Sequence, residues 1–166
     1  MTNINKKNST TRIQQIWQRL HKLPGGRWLF SRLIGWFIPY TGTIDSIIQV
    51  LKPGYAKIEL RDRRRVRNHL NSIHAIALTN LGEFTSGLAM LGTLSDKIRG
   101  IPTNIAIEFY KKARGTLIAE SHCTLPTITE DTDFEVFTDI RDSTGDIVAR
   151  TTVNWRLGLI PTTEKT

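Results

Sequence analysis

Three side chains capable of chemistry follow one another closely in the sequence: Asn68, His74 and Glu83. Glu83 is the only charged residue in the otherwise uncharged stretch Ala75–Leu91. A buried carboxylate without a partner costs several kcal/mol, and burial raises its pKa. Such a carboxylate suits proton abstraction near neutral pH, so Glu83 is the candidate general base or nucleophile.

The stretch that contains Glu83 has the periodicity of a helix. Apolar residues recur at steps of three or four, which is the spacing of one helix face: Ile73, Ala77, Leu81, Phe84, Leu88 and Leu91. The opposite side is also largely apolar, so we expect a buried central helix that begins near His74 and Ala75. The first N–H groups of a helix lack intrahelical acceptors and lie at the positive end of its dipole. The Ala75 N–H is therefore the candidate donor to a developing oxyanion.

Two clusters of cations flank this helix in the sequence. The first precedes Asn68 directly and the second lies in a later turn; together they comprise Arg61, Arg63, Arg64, Arg65, Arg67, Lys111, Lys112 and Arg114. A charge run is usually a solvated edge or loop, but guanidinium groups also bind phosphate in a bidentate manner. The clusters are candidate phosphate-binding residues.

Six segments alternate apolar and polar residues as half-buried strands do. Two of them, residues 46–51 and Tyr55–Leu60, flank the turn signal Lys52-Pro53-Gly54, and four follow the helix at residues 101–110, 116–125, 133–140 and 147–157. Short connections favour antiparallel neighbours. We therefore expect an α+β domain in which a meandering antiparallel sheet of about six strands bends around one long helix.

The N-terminal 40 residues hold seven Lys or Arg and no acidic residue, and they supply nearly all of the formal net charge of +8. Ile13, Ile16, Trp17 and Leu20 predict a basic amphipathic helix, and a second apolar segment follows from Trp28 to Tyr40. Two interpretations remain open: a helical cap on the core, or peripheral contact of residues 12–37 with a membrane surface. We divide the chain into a basic helical extension (1–40), one α+β domain (41–160) and a tail (161–166), with residues 1–11 expected to be disordered.

Composition argues against several classes of protein. A single cysteine, Cys123, excludes an internal disulfide and suits a reducing compartment, so we expect a cytoplasmic protein. The four histidines lack metal-ligand spacing, and we predict no metal site. The chain carries no recognisable nucleic-acid-binding motif, so its basicity does not predict a nucleic-acid partner.

The order of elements and the local motif together resemble the acyl-CoA thioesterases of the hotdog superfamily, nearest to the DUF4442-type, YiiD-like thioesterases. Those proteins often show an Asn, a small residue, a His-Gly or His-Ala pair that opens the helix, and an acidic residue two to three turns inside it. Asn68, Ser72, His74-Ala75 and Glu83 occupy these places here. Ala75 stands where glycine is more usual. The resemblance covers roughly residues 44–157.

The resemblance implies a hotdog fold and hydrolysis of an acyl-CoA or acyl-carrier thioester, with coenzyme A as part of the substrate and no other cofactor. It also implies a homodimer or a dimer of dimers, with the site between two subunits. Asn68 of one chain would then position water or the carboxylate near Glu83 of the other. A different class of function stays open, in which the protein binds acyl thioesters or a partner without catalysis.

Each candidate site residue also has a structural interpretation. Asn68 is equally suited to a plain turn. His74 is better suited to orienting and hydrogen bonding than to shuttling protons. Glu83 would serve a structural role if it paired with an arginine across the dimer.

Overall fold

The computed structural model of the protein describes residues 12–95 and 97–160. The predicted disorder of residues 1–11 and the predicted tail lie outside the described residues. Within these described ranges, four helices and six strands follow one another, with a 3₁₀ turn at Arg64–Val66: α1 (Arg12–Leu20), α2 (Gly26–Phe37), α3 (Pro39–Gly42), β1 (Ile47–Lys52), β2 (Tyr55–Leu60), α4 (Ala75–Leu91), β3 (Ile98–Phe109), β4 (Leu117–His122), β5 (Thr132–Arg141) and β6 (Ile147–Leu159). These elements confirm the predicted α+β class.

The six strands form one antiparallel sheet in the order β1-β2-β4-β5-β6-β3. The predicted β1–β2 hairpin is confirmed, and Gly54 occupies its turn with a φ of +72°. The prediction of a simple meander is wrong, because β3 pairs with β6 and not with β4. The connection between β3 and β4 crosses three strand spacings, about 14 Å, which a short extended link can span. It passes the start of α4, where Ala113 O accepts a hydrogen bond from Ile73 N–H at 2.8 Å.

Helix α4 lies in the core, as its apolar sequence predicts. Its side chains pack against the inner face of the sheet, and Leu81, Leu88 and Ala89 are almost completely buried. The residues of α4 that are not buried are Ala75, Ile76, Thr79, Glu83 and Leu91. Ile76, Thr79 and Glu83 are spaced by three and four residues, so they form one stripe along the helix. Neither the sheet nor the N-terminal helices cover this stripe.

The N-terminal helices join the same core through one side only. Trp17 and Phe30 are buried and meet edge to face with their ring centroids 5.1 Å apart, and Ile34 packs beside them. Ser31 fastens α2 to the edge of the sheet, since its hydroxyl accepts from Ile48 N–H at 2.8 Å and donates to Arg27 O at 2.7 Å. The predicted helical cap on the core is therefore present. The side chains of α2 that face solvent are Arg27, Trp28, Leu29, Arg32, Leu33, Trp36 and Phe37.

The two edges of the sheet differ in their protection. Helix α2 covers β1, whereas the outer edge of β3 pairs with no strand among the described residues. Ile105 and Phe109 of β3 share the inner face of the sheet with Val153 and Ala149 of β6, yet they are 41% and 52% exposed. Unpaired backbone groups and exposed apolar side chains make this edge a template for pairing with another strand.

None of the described helices combines the length and apolarity that crossing a bilayer would require.

The contact between α4 and β6 depends on a glycine. A Cβ atom at Gly82 would lie 2.0 Å from Thr151 Oγ1 and 2.5 Å from Thr151 Cβ, so rotating the threonine side chain would not relieve the clash. We expect Gly82→Ala to lower the free energy of unfolding by about 1–3 kcal/mol, the usual cost of overpacking a core. Denaturant unfolding followed by circular dichroism measures the change.

Gly87 provides the matched control on the same helix. A Cβ there would meet the Trp155 ring at 3.5 Å, an ordinary contact. We expect Gly87→Ala to leave the free energy of unfolding unchanged or to raise it by up to about 1 kcal/mol, through the better helix propensity of alanine. Equal losses of stability in the two variants would contradict the prediction, because only a Cβ at position 82 clashes with β6.

Candidate functional site

The start of α4 is capped by His74, and the predicted helix boundary is confirmed. His74 has extended backbone angles (φ −67°, ψ 141°), and its Nδ1 accepts a hydrogen bond from Ile76 N–H at 3.1 Å. This bond favours the orienting role of His74 over that of a proton shuttle, because one ring nitrogen is already engaged. The N–H of Ala75 makes no hydrogen bond with the described residues, and Ala75 is exposed. A donor at the positive end of the helix dipole is thus free for a ligand.

Asn68 shapes the loop that leads into this cap. Its Oδ1 accepts from Leu70 N–H at 2.9 Å and from both the N–H and the hydroxyl of Ser72 at 3.2 Å. Asn71 completes the turn with a φ of +53°, a left-handed conformation that asparagine tolerates. The side-chain oxygen of Asn68 therefore has the structural role in a turn that we considered for this residue. Its Nδ2 makes no hydrogen bond with the described residues and remains the atom with which Asn68 can reach a ligand.

Glu83 lies on the uncovered stripe of α4. It is half-buried, and its carboxylate forms neither a hydrogen bond nor an ion pair with any residue in the described part of this chain. Burial alone raises its pKa above the ordinary value of 4.5. The hydroxyl of Ser86, nearly one turn further along α4, donates to the backbone oxygen of Glu83 at 2.8 Å and makes no hydrogen bond with the carboxylate. The carboxylate is therefore more basic than one in water.

A cleft of about 420 Å³ adjoins the start of α4. His74, Ile76 and Asn80 line it from the helix, and Arg65 and Arg67 line it from the preceding loop. Its lining combines apolar side chains with charged and amide groups, which are the groups that fix the orientation of a ligand. The helix start and part of the first cationic cluster therefore share one cleft.

Asn80 also lines this cleft, and reasoning from the sequence did not single it out. It is 8% exposed, its Nδ2 donates to Tyr40 O at 3.3 Å, and its Oδ1 is buried without a hydrogen-bond partner among the described residues. A buried acceptor without a donor is costly, so it marks a place where a ligand or water donor is needed. An asparagine one turn before Glu83 in an apolar helix was the available signal.

The structure brings the two cationic clusters together. Arg114 Nη2 donates to Leu70 O at 3.4 Å, and Gly115 N–H donates to Asp62 Oδ2 at 2.9 Å, so the turn after β3 lies against the loop before α4. Arg64, Arg65 and Lys112 are exposed and form no ion pair with a described residue. These three, together with Arg114, are the cations best placed to meet a phosphate.

The other candidate phosphate-binding residues have acidic partners in the fold. Arg63 pairs with Asp45 and also donates to the backbone oxygens of Ile44 and Asp45 at 2.9 and 2.8 Å. The remaining pairs are Arg61 with Glu59, Arg67 with Asp62, and Lys111 with Asp142 and Asp146. Burial of Asp45 opposes its ionisation, but Arg63 and Arg32 together hold its pKa below the ordinary value. Arg63 thus serves the fold in this structure.

The two halves of the proposed chemistry lie apart within one chain. Ala75 and Glu83 are eight residues apart on α4, which corresponds to about 12 Å along the helix axis. Reacting groups have to approach to about 3–3.5 Å. One thioester carbon therefore cannot meet both the Ala75 N–H and the Glu83 carboxylate of the same protomer.

Cys123 does not supply an alternative nucleophile. Its side chain is half-buried and packs beside the apolar core. Burial raises the pKa of the Cys123 thiol to about 11, so the reactive thiolate is scarce at neutral pH. The role of core filler suits this residue.

Comparisons with known proteins support the fold. A structure solved in a genomics project is 26% identical, with a TM-score of 0.79 over 90% of this chain and 100% of that one. A protein of unknown function from Pseudomonas aeruginosa, described as a probable thioesterase, is 22% identical, with a TM-score of 0.67 over 83% and 97% of the two chains. A thioesterase family protein from Silicibacter pomeroyi is 14% identical, with a TM-score of 0.67 over 78% and 96%. No curated protein matches the chain.

A family model describes this chain directly. It is the model of a domain of unknown function, DUF4442, and it matches residues 26–157, which include α2, the cap at His74 and Glu83. The match begins within the N-terminal segment that we separated from the domain on composition. The chain belongs to the DUF4442 family and has the hotdog fold.

Proposed function

We propose that the protein is a thioester hydrolase that acts on acyl-CoA or on acyl groups attached to a carrier protein. The observation that carries this proposal is the half-buried carboxylate of Glu83 on the same helix as the N–H of Ala75, both without a partner among the described residues. The description of one structural neighbour as a probable thioesterase supports the same reaction class. We place the activity in the cytoplasm, with coenzyme A or the carrier entering as part of the substrate.

In the proposed reaction, the thioester carbonyl oxygen accepts a hydrogen bond from Ala75 N–H. Glu83 takes a proton from water, the water oxygen bonds to the carbonyl carbon, and the negative charge moves to the carbonyl oxygen. When the tetrahedral intermediate collapses, the C–S bond breaks, and the thiolate takes up the proton. A nucleophilic route is also compatible: Glu83 attacks the carbon, the thiolate leaves, and water hydrolyses the mixed anhydride.

The active unit in this proposal is a homodimer, alone or within a dimer of dimers. The separation of Ala75 from Glu83 along α4 requires that they come from different protomers. The open edge of β3 and the uncovered stripe of α4 both provide surface for a second copy. The Nδ2 of Asn68, with His74 holding the cap, then helps to position the water or carboxylate near the partner's Glu83.

Removal of the carboxylate tests the chemistry. We expect Glu83→Gln to lower kcat by about 10²–10⁴, the usual contribution of a general base, in an assay of thiol release across acyl-CoA chain lengths. The exposed Glu135 on β5 provides a matched control, and Glu135→Gln should retain activity. A folded Glu83→Gln variant with ordinary kcat would overturn the proposed role. A variant that loses its fold would instead favour the structural ion pair.

The raised pKa of Glu83 adds a pH dependence. The wild-type rate should rise with pH along an acidic limb whose midpoint lies above 4.5, because only the charged form is a base. Stability should change in the opposite sense: the folded state holds the Glu83 proton more tightly than the unfolded state, so charging Glu83 disfavours folding as pH rises through this window. The stability of Glu83→Gln relative to wild type should therefore increase from pH 4 to pH 7.

A charge reversal at Arg65 tests whether the exposed cations beside the helix start bind the phosphates of coenzyme A. Arg65 lines the cleft beside the helix start, so Arg65→Glu should raise KM for acyl-CoA about tenfold with little change in kcat. Lys52→Glu makes the same charge change at the β1–β2 turn and should leave KM unchanged. The Arg65 effect should shrink at high salt. An equal KM in both variants would point to a carrier protein or to a structural role.

Complementation between two inactive variants tests the shared site. Ala75→Pro removes the proposed donor, and proline is tolerated here because it would occupy the first helical position, after a residue with a ψ of 141°. Each variant alone should be inactive. Co-expression of Ala75→Pro with Glu83→Gln should restore activity, since each mixed dimer contains one site with both groups intact.

Mixtures of the two proteins that stay inactive despite forming mixed dimers would place both groups in a single chain. Light scattering on Phe109→Asp provides an independent measurement. This variant puts a charge on the open β3 edge, so it should shift the protein toward monomer and abolish activity together.

A further inference from the structure

The outer half of α2 is an apolar surface with no partner in the described structure. Trp28, Trp36 and Phe37 are 57%, 74% and 72% exposed, and Leu29 and Leu33 lie between them. Ile38 and Tyr40 extend the patch beyond the helix. Scattered exposed apolar residues are normal, but a continuous patch of this kind marks an interaction site. We call Trp28, Leu29, Leu33, Trp36 and Phe37 the α2 surface.

The buried half of α2 holds this surface outward. Phe30 and Ile34 are packed in the core, and Ser31 is bonded to β1, so the helix cannot rotate to hide its outer half. The eleven residues that precede α1 are mainly polar in sequence and offer few apolar groups to cover it. No described residue covers the α2 surface, which leaves it open to a partner from outside the chain.

The charges around the α2 surface favour an anionic partner. The first acidic residue of the chain is Asp45, which is already paired with Arg32 and Arg63. Arg32 lies within the surface itself, with its guanidinium carbon 6.0 Å from the centre of a Trp28 ring. The other exposed cations of residues 12–40 are Arg12, Arg19, Lys22 and Arg27. Exposed Trp, Phe and Leu beside Arg and Lys form the pattern of a helix that lies in a membrane interface.

A second copy of this chain fits the α2 surface poorly. In a two-fold contact the same patch occurs on both sides, so Arg32 and its cationic neighbours would face their own copies. Helix α2 also packs on β1, at the opposite end of the sheet from the open edge of β3. A dimer formed through β3 would leave the α2 surface uncovered.

We propose that the α2 surface docks the protein on an anionic bilayer. The helix lies along the interface, with Trp28, Trp36 and Phe37 among the headgroups and upper acyl chains, and the cations contact anionic lipid headgroups. This docking is independent of the proposed hydrolase activity, because it depends on exposure and charge alone.

Sedimentation with vesicles tests the proposal on the full chain. We expect binding to phosphatidylcholine vesicles that contain phosphatidylserine, weaker binding to pure phosphatidylcholine, and a decrease in binding at high salt. Tryptophan fluorescence should shift to the blue on binding, because Trp28 and Trp36 are exposed whereas Trp17 and Trp155 are already buried.

Two phenylalanines provide a matched pair. Phe37→Ala should lower the vesicle partition coefficient by roughly tenfold, in keeping with the lost apolar burial. Phe137 on β5 is 50% exposed and far from α2 in the sequence, and Phe137→Ala should bind as wild type does. Arg19→Glu with Lys22→Glu should weaken binding by about tenfold or more, since each cation near an anionic surface contributes about 1 kcal/mol.

Three results would overturn the proposal. The first is wild-type protein that does not sediment with anionic vesicles at low salt. The second is an equal effect of Phe37→Ala and Phe137→Ala on vesicle binding. The third is a fall in oligomeric state caused by Phe37→Ala in the absence of lipid, which would assign the α2 surface to contact between copies of the chain.

Discussion

A helix that is apolar on nearly every side has to be covered on nearly every side, and the rest of this fold follows from that requirement. The sheet covers one side of α4, with Leu81 and Leu88 in its core, and Phe30 and Ile34 of α2 belong to the same core. One stripe remains, at Ile76, Thr79 and Glu83. Because α4 is not fully covered, this stripe offers surface to a partner. It also contains the half-buried Glu83 carboxylate, whose pKa is raised by burial.

The low polarity around α4 also determines what its few polar groups can do. The half-buried carboxylate of Glu83 has no partner among the described residues, so burial makes it a stronger base at some cost to stability. Asn80 keeps an unpaired buried oxygen one turn away, at a cleft that also contains His74. Unsatisfied polar groups of this kind are uncommon in folded proteins, and they cluster where ligands bind. Among the described residues, the buried Asn80 oxygen and the half-buried Glu83 carboxylate lie within one turn of each other on α4.

The N-terminal segment has two different surfaces, which explains why its sequence supports two interpretations. Trp17 and Phe30 belong to the core, as a cap on the domain requires. Trp28, Trp36 and Phe37 occupy the other side of the same segment and face solvent. Composition alone counts all of these aromatic residues together, whereas packing assigns each to one side. The cap and the proposed docking surface are therefore compatible.

Local patterns in the sequence determined the elements, and tertiary structure decided their partners. The pattern of the apolar residues placed α4 and the strands correctly, because side-chain direction repeats every 3.6 residues in a helix and every two in a strand. The pairing of β3 with β6 was missed, since a short link can skip strands and its length does not reveal which neighbour follows. The roles of Arg63 and of the Asn68 oxygen likewise depend on contacts that form only on folding. Arg63 pairs with Asp45, and the Asn68 oxygen accepts from the Ser72 N–H. Residue type and spacing thus identify what a side chain is able to do, and the fold decides which of its atoms remain free.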